Sequence, residues 1–320
     1  MPSTSRSARP TGNTGNTGNT RNTGNPGAAG ATDGAGTPKS RRLPVLAALA
    51  AAAALVAGAA APAYAVDPAP GQSAEQADSQ RPVLHPERDF AGSTVAAHEG
   101  RESTAGVLAL AATQTPGLDV ASYQGNVNWA SVAGNGARFA YVKATEGTGY
   151  TNPYFAQQYN GSYNAGLIRG AYHFALPDRS SGATQANYFV NHGGGWSRDG
   201  KTLPPALDIE YNPYGATCFG LSQSAMVSWI RSFSDTVHSR TGRYPTIYTT
   251  TNWWSTCTGN NGGFGATNPL WIARYSSSVG TLPNGWGYQT FWQYADSGTF
   301  PGDQNLFNGA YDRLQALANG

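Results

Sequence analysis

Two carboxylates separated by one residue, Asp208 and Glu210, end an apolar, proline-containing stretch that begins at Leu203. If this stretch is a β-strand, the alternation of side chains places both acids on one face, about 7 Å apart. A hydrophobic strand that ends in acids is typical of a barrel strand that carries catalytic groups at its C-terminal end. The pair alone is equally consistent with two solvated acids at the start of a loop.

Two further acids lie at the ends of predicted strands. Asp119 lies within a short apolar stretch, and Asp303 precedes another. Because the C-terminal ends of barrel strands converge on one face, all four acids could surround a single pocket. Crowding and burial raise the pKa of a carboxyl group, so that one acid could stay protonated near neutral pH.

Paired carboxyl groups of this kind are what glycoside hydrolysis requires. One carboxylic acid protonates the leaving oxygen, and a second carboxylate attacks the sugar or stabilises the positive transition state. We expect Glu210 to be the acid, because its longer side chain reaches further into a cleft. Asp208 would then stabilise charge, position the substrate or act as the nucleophile.

The elements that must position these acids alternate between strands and helices through the first half of the domain. This order favours β/α units, and about eight strands in one domain predict an α/β barrel that has lost some outer helices. The alternative is a doubly wound open sheet, which usually has a glycine-rich phosphate loop after its first strand; none is present. Strands are predicted at 117–124, 139–147, 167–175, 203–210, 244–250, 269–275, 288–295 and 303–307.

The N-terminal third of the chain differs in composition from the rest. Residues 1–38 are of low complexity, and a basic stretch, an alanine-rich apolar run and the sequence Ala63-Tyr64-Ala65 follow. We interpret residues 1–65 as a leader with a signal peptide cleaved after Ala65, a membrane anchor being the alternative. Residues 66–116 are polar and mildly acidic, so we predict a disordered linker or pro-segment. The domain itself is predicted at 117–320.

The composition of residues 117–320 restricts the class of partner. They contain eleven basic and ten acidic residues, which does not favour nucleic-acid binding. All eight tryptophans lie there, and a surface rich in Gly, Asn, Tyr and Trp suits carbohydrate.

Cys218 and Cys257 are expected to form a disulfide in an exported chain. We find no spaced ligand cluster, so we expect no metal and no cofactor. We also expect a monomer without a membrane anchor.

Seven ordered motifs resemble glycoside hydrolase family 25, the Chalaropsis-type lysozymes, and most of all the secreted Streptomyces lysozymes. The resemblance covers about 117–320, essentially the whole domain. The motifs are Asp119-Val-Ala-Ser-Tyr-Gln-Gly, Lys143-Ala-Thr-Glu-Gly, Gly170-Ala-Tyr-His-Phe, Leu207-Asp-Ile-Glu, Trp271-Ile-Ala-Arg-Tyr, Trp292-Gln-Tyr and Gly302-Asp-Gln-Asn-Leu-Phe.

The resemblance implies a flattened TIM-like barrel with five β/α units and three further strands. It implies a secreted N-acetylmuramidase that cleaves the β-1,4 bond between N-acetylmuramic acid and N-acetylglucosamine in peptidoglycan glycan strands. Glu210 becomes the general acid/base, and Asp208, Asp119 and Asp303 become its carboxylate partners. The retaining mechanism uses either attack by Asp208 or attack by the substrate's acetamido group, oriented by Asp208; we favour the second.

Seven more residues are candidates for binding sugar. For the aromatic members the alternative is core packing, and for Lys143 and Glu146 it is a mutual ion pair. The competing functions are a chitinase-like hydrolase and a carbohydrate-binding barrel without catalysis. The candidates are Tyr123, Lys143, Glu146, Tyr172, Tyr248, Trp271 and Gln293.

Overall fold

The strands of the described residues form a closed barrel. The computed structural model describes residues 84–110 and 113–320, all within one compact unit. The predicted leader and signal peptide lie outside the described residues, as do residues 66–83 of the predicted linker.

The barrel has eight strands, and a short ninth strand pairs antiparallel with the end of the second. The strands are β1 (Thr115–Val120), β2 (Phe139–Glu146), β3 (Tyr150–Thr151), β4 (Ile168–Phe174), β5 (Ala206–Asp208), β6 (Thr246–Thr249), β7 (Leu270–Ala273), β8 (Phe291–Ala295) and β9 (Asp303–Phe307). The helices are α1 (Val95–Glu99), α2 (Val107–Leu110), α3 (Trp129–Gly134), α4 (Phe155–Asn164), α5 (Gly182–Asn191), α6 (Gln223–Thr241), α7 (Thr251–Thr258) and α8 (Tyr311–Asn319).

The direction of β9 distinguishes the barrel from a fully parallel one. Going around it, β1, β2, β4, β5, β6, β7 and β8 pair in parallel, and β9 pairs antiparallel with both β8 and β1. Helical segments follow β1, β2, β4, β5 and β6, whereas β7, β8 and β9 have no helix between them. The prediction of five β/α units and three further strands is confirmed.

Side chains alternate between two faces of the strands, as the period of a β-strand requires. On β2, Phe139 and Tyr141 belong to the aromatic cluster that fills the barrel, whereas Ala140 and Val142 pack with Trp129 of α3 outside it. Inside the barrel, the Tyr141 ring stacks on that of Trp271 with centroids 4.7 Å apart. The barrel interior is therefore a packed aromatic core below the mouth.

The long helices have local sequence signals at their ends. The Ser181 and Ser222 side chains accept hydrogen bonds from backbone N–H groups in the first turns of α5 and α6. Gly182 lets α5 approach α6 closely, since a Cβ at this position would lie 2.2 Å from the carbonyl oxygen of Trp229. The predicted disulfide between Cys218 and Cys257 is present, and it joins the loop after β5 to α7.

Two sequence-based expectations differ from the structure. The fourth strand was expected over 203–210, but β5 contains only three residues and ends at Asp208. The described part of the predicted linker carries α1 and α2 and the start of β1 at Thr115. Its polar composition gives no local reason for this order, which comes from contacts with the barrel described below.

Among the described residues, every helix is too short or too polar to span a membrane.

Candidate active site

The four predicted carboxyl groups lie at the barrel mouth. Asp119 lies near the end of β1, Asp208 ends β5, and Glu210 follows two residues later. Asp303 begins β9, and because that strand is antiparallel, it pairs directly with Asp119. All four residues are buried. The structure therefore brings together every acid that the sequence singled out.

Glu210 has the environment of a carboxylic acid that is protonated at neutral pH. Burial raises its pKa to about 8, although two hydrogen bonds act in the opposite direction. Oε1 accepts from the backbone N–H of Gly92 at 2.7 Å, and Oε2 accepts from the Thr94 hydroxyl at 2.7 Å. A group of this kind can donate a proton near pH 7.

Asp208 is buried without a hydrogen-bond partner. Among the described residues, neither of its carboxyl oxygens has a hydrogen-bond partner. Burial raises the pKa of Asp208 well above its usual range, and the neighbouring charge of Glu210 adds to the effect. Two unpartnered acceptor atoms at the mouth are suited to receive a donor group from a ligand.

Gln293 joins the acids of β1 and β9. Its Nε2 lies 2.9 Å from Oδ2 of Asp119 and 3.0 Å from Oδ2 of Asp303. Its Oε1 accepts from the hydroxyl groups of Tyr248 at 2.7 Å and Tyr275 at 3.1 Å. Burial raises the pKa of Asp119 to about 7 and that of Asp303 well above its usual range. One amide thus positions two carboxyl groups of reduced acidity.

Sequence reasoning missed two polar residues of this cluster. Asn305 donates to Oδ2 of Asp119 at 2.6 Å and accepts from the indole N–H of Trp271 at 2.7 Å. It lies two residues after Asp303, and the strand period could have identified it. The second residue, Tyr275, ends the Trp271 motif, but nothing local distinguished it from other tyrosines.

Lys143 and Glu146 form the ion pair that was the alternative to sugar binding. The ammonium group of Lys143 donates to Oε2 of Glu146 at 2.6 Å, and both side chains are buried. Burial raises the pKa of Glu146 to about 7, against the lowering effect of Lys143. The Tyr214 hydroxyl oxygen also lies 2.9 Å from Oε1 of Glu146. The pair lies at the C-terminal end of β2, beside the acids.

The aromatic sugar-binding candidates occupy different depths. Tyr172 and Tyr248 are buried, and their hydroxyl groups contact polar atoms at the mouth. Trp271 is equally buried and belongs to the aromatic core, where it makes the packing contacts that were the alternative interpretation. Tyr123 is 69% exposed, and its ring lies 5.7 Å from that of Phe90. Tyr123 is the candidate that a long ligand could reach without rearrangement.

Residues 84–102, here named the cover segment, cross the mouth of the barrel. They supply Gly92 and Thr94 to Glu210, and they end near Tyr275, whose backbone oxygen accepts from the N–H of Glu102 at 2.8 Å. The burial of the carboxyl groups therefore includes this segment. Among the described residues, no group of three or more His, Cys, Asp or Glu side chains could hold a metal ion.

A model of a known protein family matches most of the barrel. The family model described as "Glycosyl hydrolases family 25" matches residues 118–303. The match includes all four carboxyl residues and extends over more than half of the chain.

Individual proteins give matches of similar extent. An N,O-diacetylmuramidase of Chalaropsis sp. is 53% identical over 208 residues, which cover 64% of this chain and 99% of that protein. Lysozyme M1 of Streptomyces globisporus is 52% identical, with 63% and 71% covered.

Solved structures agree with these matches. A lysozyme from Streptomyces coelicolor is 51% identical with a TM-score of 0.63, covering 64% of this chain and 97% of that one. A muramidase from Acremonium alcalophilum is 61% identical with a TM-score of 0.64, covering 64% and 99%.

Proposed function

The chain belongs to glycosyl hydrolase family 25, and from this premise we propose that it is a secreted muramidase acting on peptidoglycan. The bond cleaved is the β-1,4 bond between N-acetylmuramic acid and N-acetylglucosamine. The relatives that are named muramidases and lysozymes support the substrate class. The observation that carries the proposal is the cluster of four buried carboxyl groups at the barrel mouth, where burial raises the pKa of Glu210 to about 8.

Glu210 acts as the general acid and then as the general base. Burial beneath a bound glycan keeps the pKa of Glu210 raised, so that a proton is available for the glycosidic oxygen as the bond to C1 of the muramic acid breaks. The resulting carboxylate then takes a proton from the water molecule that attacks C1. This exchange of roles restores the protonated acid at the end of each cycle.

Asp208 orients the acetamido group of the substrate in this proposal. One of its unpartnered oxygens accepts the acetamido N–H, and the acetamido oxygen attacks C1. Water later opens the cyclic intermediate, so that the anomeric configuration is retained. Direct attack of Asp208 on C1 is the alternative route. A thiazoline mimic of the cyclic intermediate should inhibit at micromolar concentration; no inhibition, with a sugar adduct trapped on Asp208, would establish the alternative.

The remaining polar groups stabilise the positive transition state and hold the sugar. Asp119 and Asp303, fixed by Gln293, direct the partial negative charge of their carboxyl oxygens toward the sugar. Tyr172, Tyr248 and the Lys143–Glu146 pair offer hydroxyl, ammonium and carboxylate groups to sugar hydroxyls. Trp271 supports this surface from below, and Tyr123 stacks on a more distant sugar. The N-terminal leader is the sequence feature that supports export.

The deciding experiment identifies the sugar that gains a reducing end. Protein recovered from culture medium is incubated with purified bacterial cell walls, and the products are reduced with borohydride and hydrolysed. A muramidase produces N-acetylmuramitol, and Glu210→Gln should lower the rate at least 10³-fold. Release of N-acetylglucosaminitol from chitin but no product from walls would indicate the chitinase-like alternative. Binding to walls with no release by either form, both before and after endopeptidase treatment, would indicate a barrel without catalysis.

A further inference from the structure

The cover segment occupies the position that a substrate needs. Both carboxyl oxygens of Glu210 accept hydrogen bonds from it, from Gly92 and Thr94. With these contacts in place, the carboxyl group is held by the backbone of Gly92 and the side chain of Thr94 and is screened from a glycosidic oxygen. The described conformation is therefore closed to a glycan at its central point.

The peptide groups of Ala91 and Gly92 resemble the acetamido group chemically, since each has one N–H and one carbonyl oxygen. The carbonyl oxygen of Ala91 accepts from Nε2 of Gln293 at 2.8 Å, and its N–H donates to the Tyr172 hydroxyl at 3.2 Å. The carbonyl oxygen of Gly92 lies 3.2 Å from the Tyr275 hydroxyl oxygen. The segment thus satisfies polar groups that a sugar would otherwise satisfy.

The N-terminal part of the cover segment is fixed at the end of β2. The ammonium group of Lys143 donates to the carbonyl oxygens of Pro86 at 3.0 Å and Asp89 at 2.7 Å. The Tyr214 hydroxyl donates to the carboxylate of Asp89. A cavity of about 400 Å³ lies beside this end, lined in part by Pro86 and Tyr150.

The C-terminal part is fixed by residues that follow β5, β7 and β8. The Tyr211 hydroxyl donates to Glu99 at 2.7 Å, and the Ser276 hydroxyl donates to Glu102 at 2.7 Å. Arg101 pairs with Asp296. A second cavity, of about 300 Å³, lies between this part and the loops after β6 and β7. Cavities at both ends indicate that the mouth is a groove, and that the segment fills its centre.

Gly92 is the position where only glycine allows this fit. Its φ of +94° is one that L side chains rarely adopt. A Cβ there would lie 2.2 Å from the Tyr275 hydroxyl oxygen, 2.6 Å from Oε1 of Gln293 and 2.9 Å from the Tyr248 hydroxyl oxygen. The backbone therefore lies directly against the groups that hold the catalytic acids.

We propose that the cover segment is an autoinhibitory pro-segment, and that the exported enzyme stays inactive until an extracellular endopeptidase cuts between the segment and the barrel. The cut hydrolyses one peptide bond, with one water consumed, in residues 103–106, which are mostly exposed. The freed segment then leaves the groove. This inference rests on the proposed muramidase function for its physiological meaning, whereas the docking of the segment can be measured independently.

The first test uses the full chain, secreted from an expression host, with the recognition sequence of a sequence-specific endopeptidase inserted between Thr104 and Ala105. We expect cell-wall hydrolysis to rise about 30-fold or more after cutting and dilution. The matched control carries the same insertion with its scissile residue changed, and it should remain inactive after the same treatment. Equal activity of the cut and uncut proteins would overturn the proposal.

The second test displaces the segment without cutting. Gly92→Ala in the full chain leaves every barrel residue unchanged, and we expect it to raise activity about 10-fold or more. Gly106→Ala is the control, because Gly106 also has a positive φ, of +86°, but its Cβ would meet nothing within 4 Å. An active wild-type full chain that Gly92→Ala does not accelerate would contradict the inference.

Hydrogen exchange separates this inference from the proposed function. In the uncut chain the amides of Ala91 and Gly92 should exchange at least 100-fold more slowly than in an unfolded peptide, and cutting should abolish the protection. Fast exchange in the uncut chain would overturn the proposal whatever the activity. Slow exchange that is lost on cutting, with no hydrolysis by any form, would support docking and contradict the muramidase assignment alone.

Discussion

Asp119 and Asp303 face each other across the β1–β9 ladder, and Nε2 of Gln293 lies 2.9 Å from the first carboxylate and 3.0 Å from the second. Two acids that would repel each other when ionised are thus held by one neutral amide. The arrangement explains why a glutamine, and not a third acid, lies between them.

Replacing this amide by a carboxyl group should damage both stability and activity. Gln293→Glu removes the N–H donor and adds an acid among buried acids, so we expect the free energy of unfolding to fall by about 3 kcal/mol at pH 7. The rate of wall hydrolysis by the cut protein should fall about 100-fold. Urea unfolding and initial rates measure the two effects. The exposed Gln315→Glu should change neither, and equal behaviour of the two variants would refute the role of Gln293.

The buried carboxyl groups should make the full chain less stable as the pH rises. Burial raises the pKa of Asp119 to about 7, above the value of about 4 expected in an unfolded chain. Between these pH values the folded state keeps a proton that the unfolded state has lost, so the free energy of unfolding falls and then levels off above the folded pKa. The contribution of Asp119 is about 4 kcal/mol, and Glu210 acts in the same direction.

Urea unfolding at pH 5 and pH 8 measures this dependence. Asp119→Asn should reduce the difference in free energy between the two pH values, because it removes one titrating group. The exposed Asp235→Asn serves as the control and should leave the difference unchanged. A wild-type chain that is more stable at pH 8 than at pH 5 would contradict the sign of the prediction.

The disulfide should stabilise the loop after β5 against unfolding. Cys218 and Cys257 are separated by 39 positions, and closing a loop of that length contributes about 4 kcal/mol in the chain-entropy model. The double variant Cys218→Ser/Cys257→Ser should lose about this amount in urea unfolding, with little change in rate at 20 °C. Reduced wild-type protein provides the comparison, and it should behave like the double variant.

Removing the buried ammonium group should loosen the cover segment. Lys143 donates to Glu146, Pro86 and Asp89, so Lys143→Met leaves a buried carboxylate and two backbone carbonyl groups without this donor. We expect a loss of about 3 kcal/mol in unfolding free energy and faster amide exchange in residues 84–92. Lys201→Met is the control. Unchanged exchange in the Lys143 variant would mean that this contact does not hold the segment.

Local patterns in the sequence determined the elements and the reactive residues. Acids at strand ends, such as Asp208 and Glu210, are recognisable because hydrophobic strands and their polar ends are features of a few neighbouring residues. Alternation along β9 would also have identified Asn305 beside Asp303. The helix-capping serines and the glycine that ends α6 are signals of the same local kind.

The tertiary structure decided which of these residues meet. The reversed direction of β9 pairs Asp303 with Asp119, and Gln293 on β8 reaches both, none of which follows from spacing along the chain. The cover segment shows most clearly what local sequence patterns cannot predict, since Gly92 and Glu210 are in contact although they are 118 positions apart in the chain. A polar segment with few apolar residues predicts disorder when its own composition is all that is considered. Its order comes from hydrogen bonds to buried groups of a distant barrel, and only the folded chain brings those groups within reach.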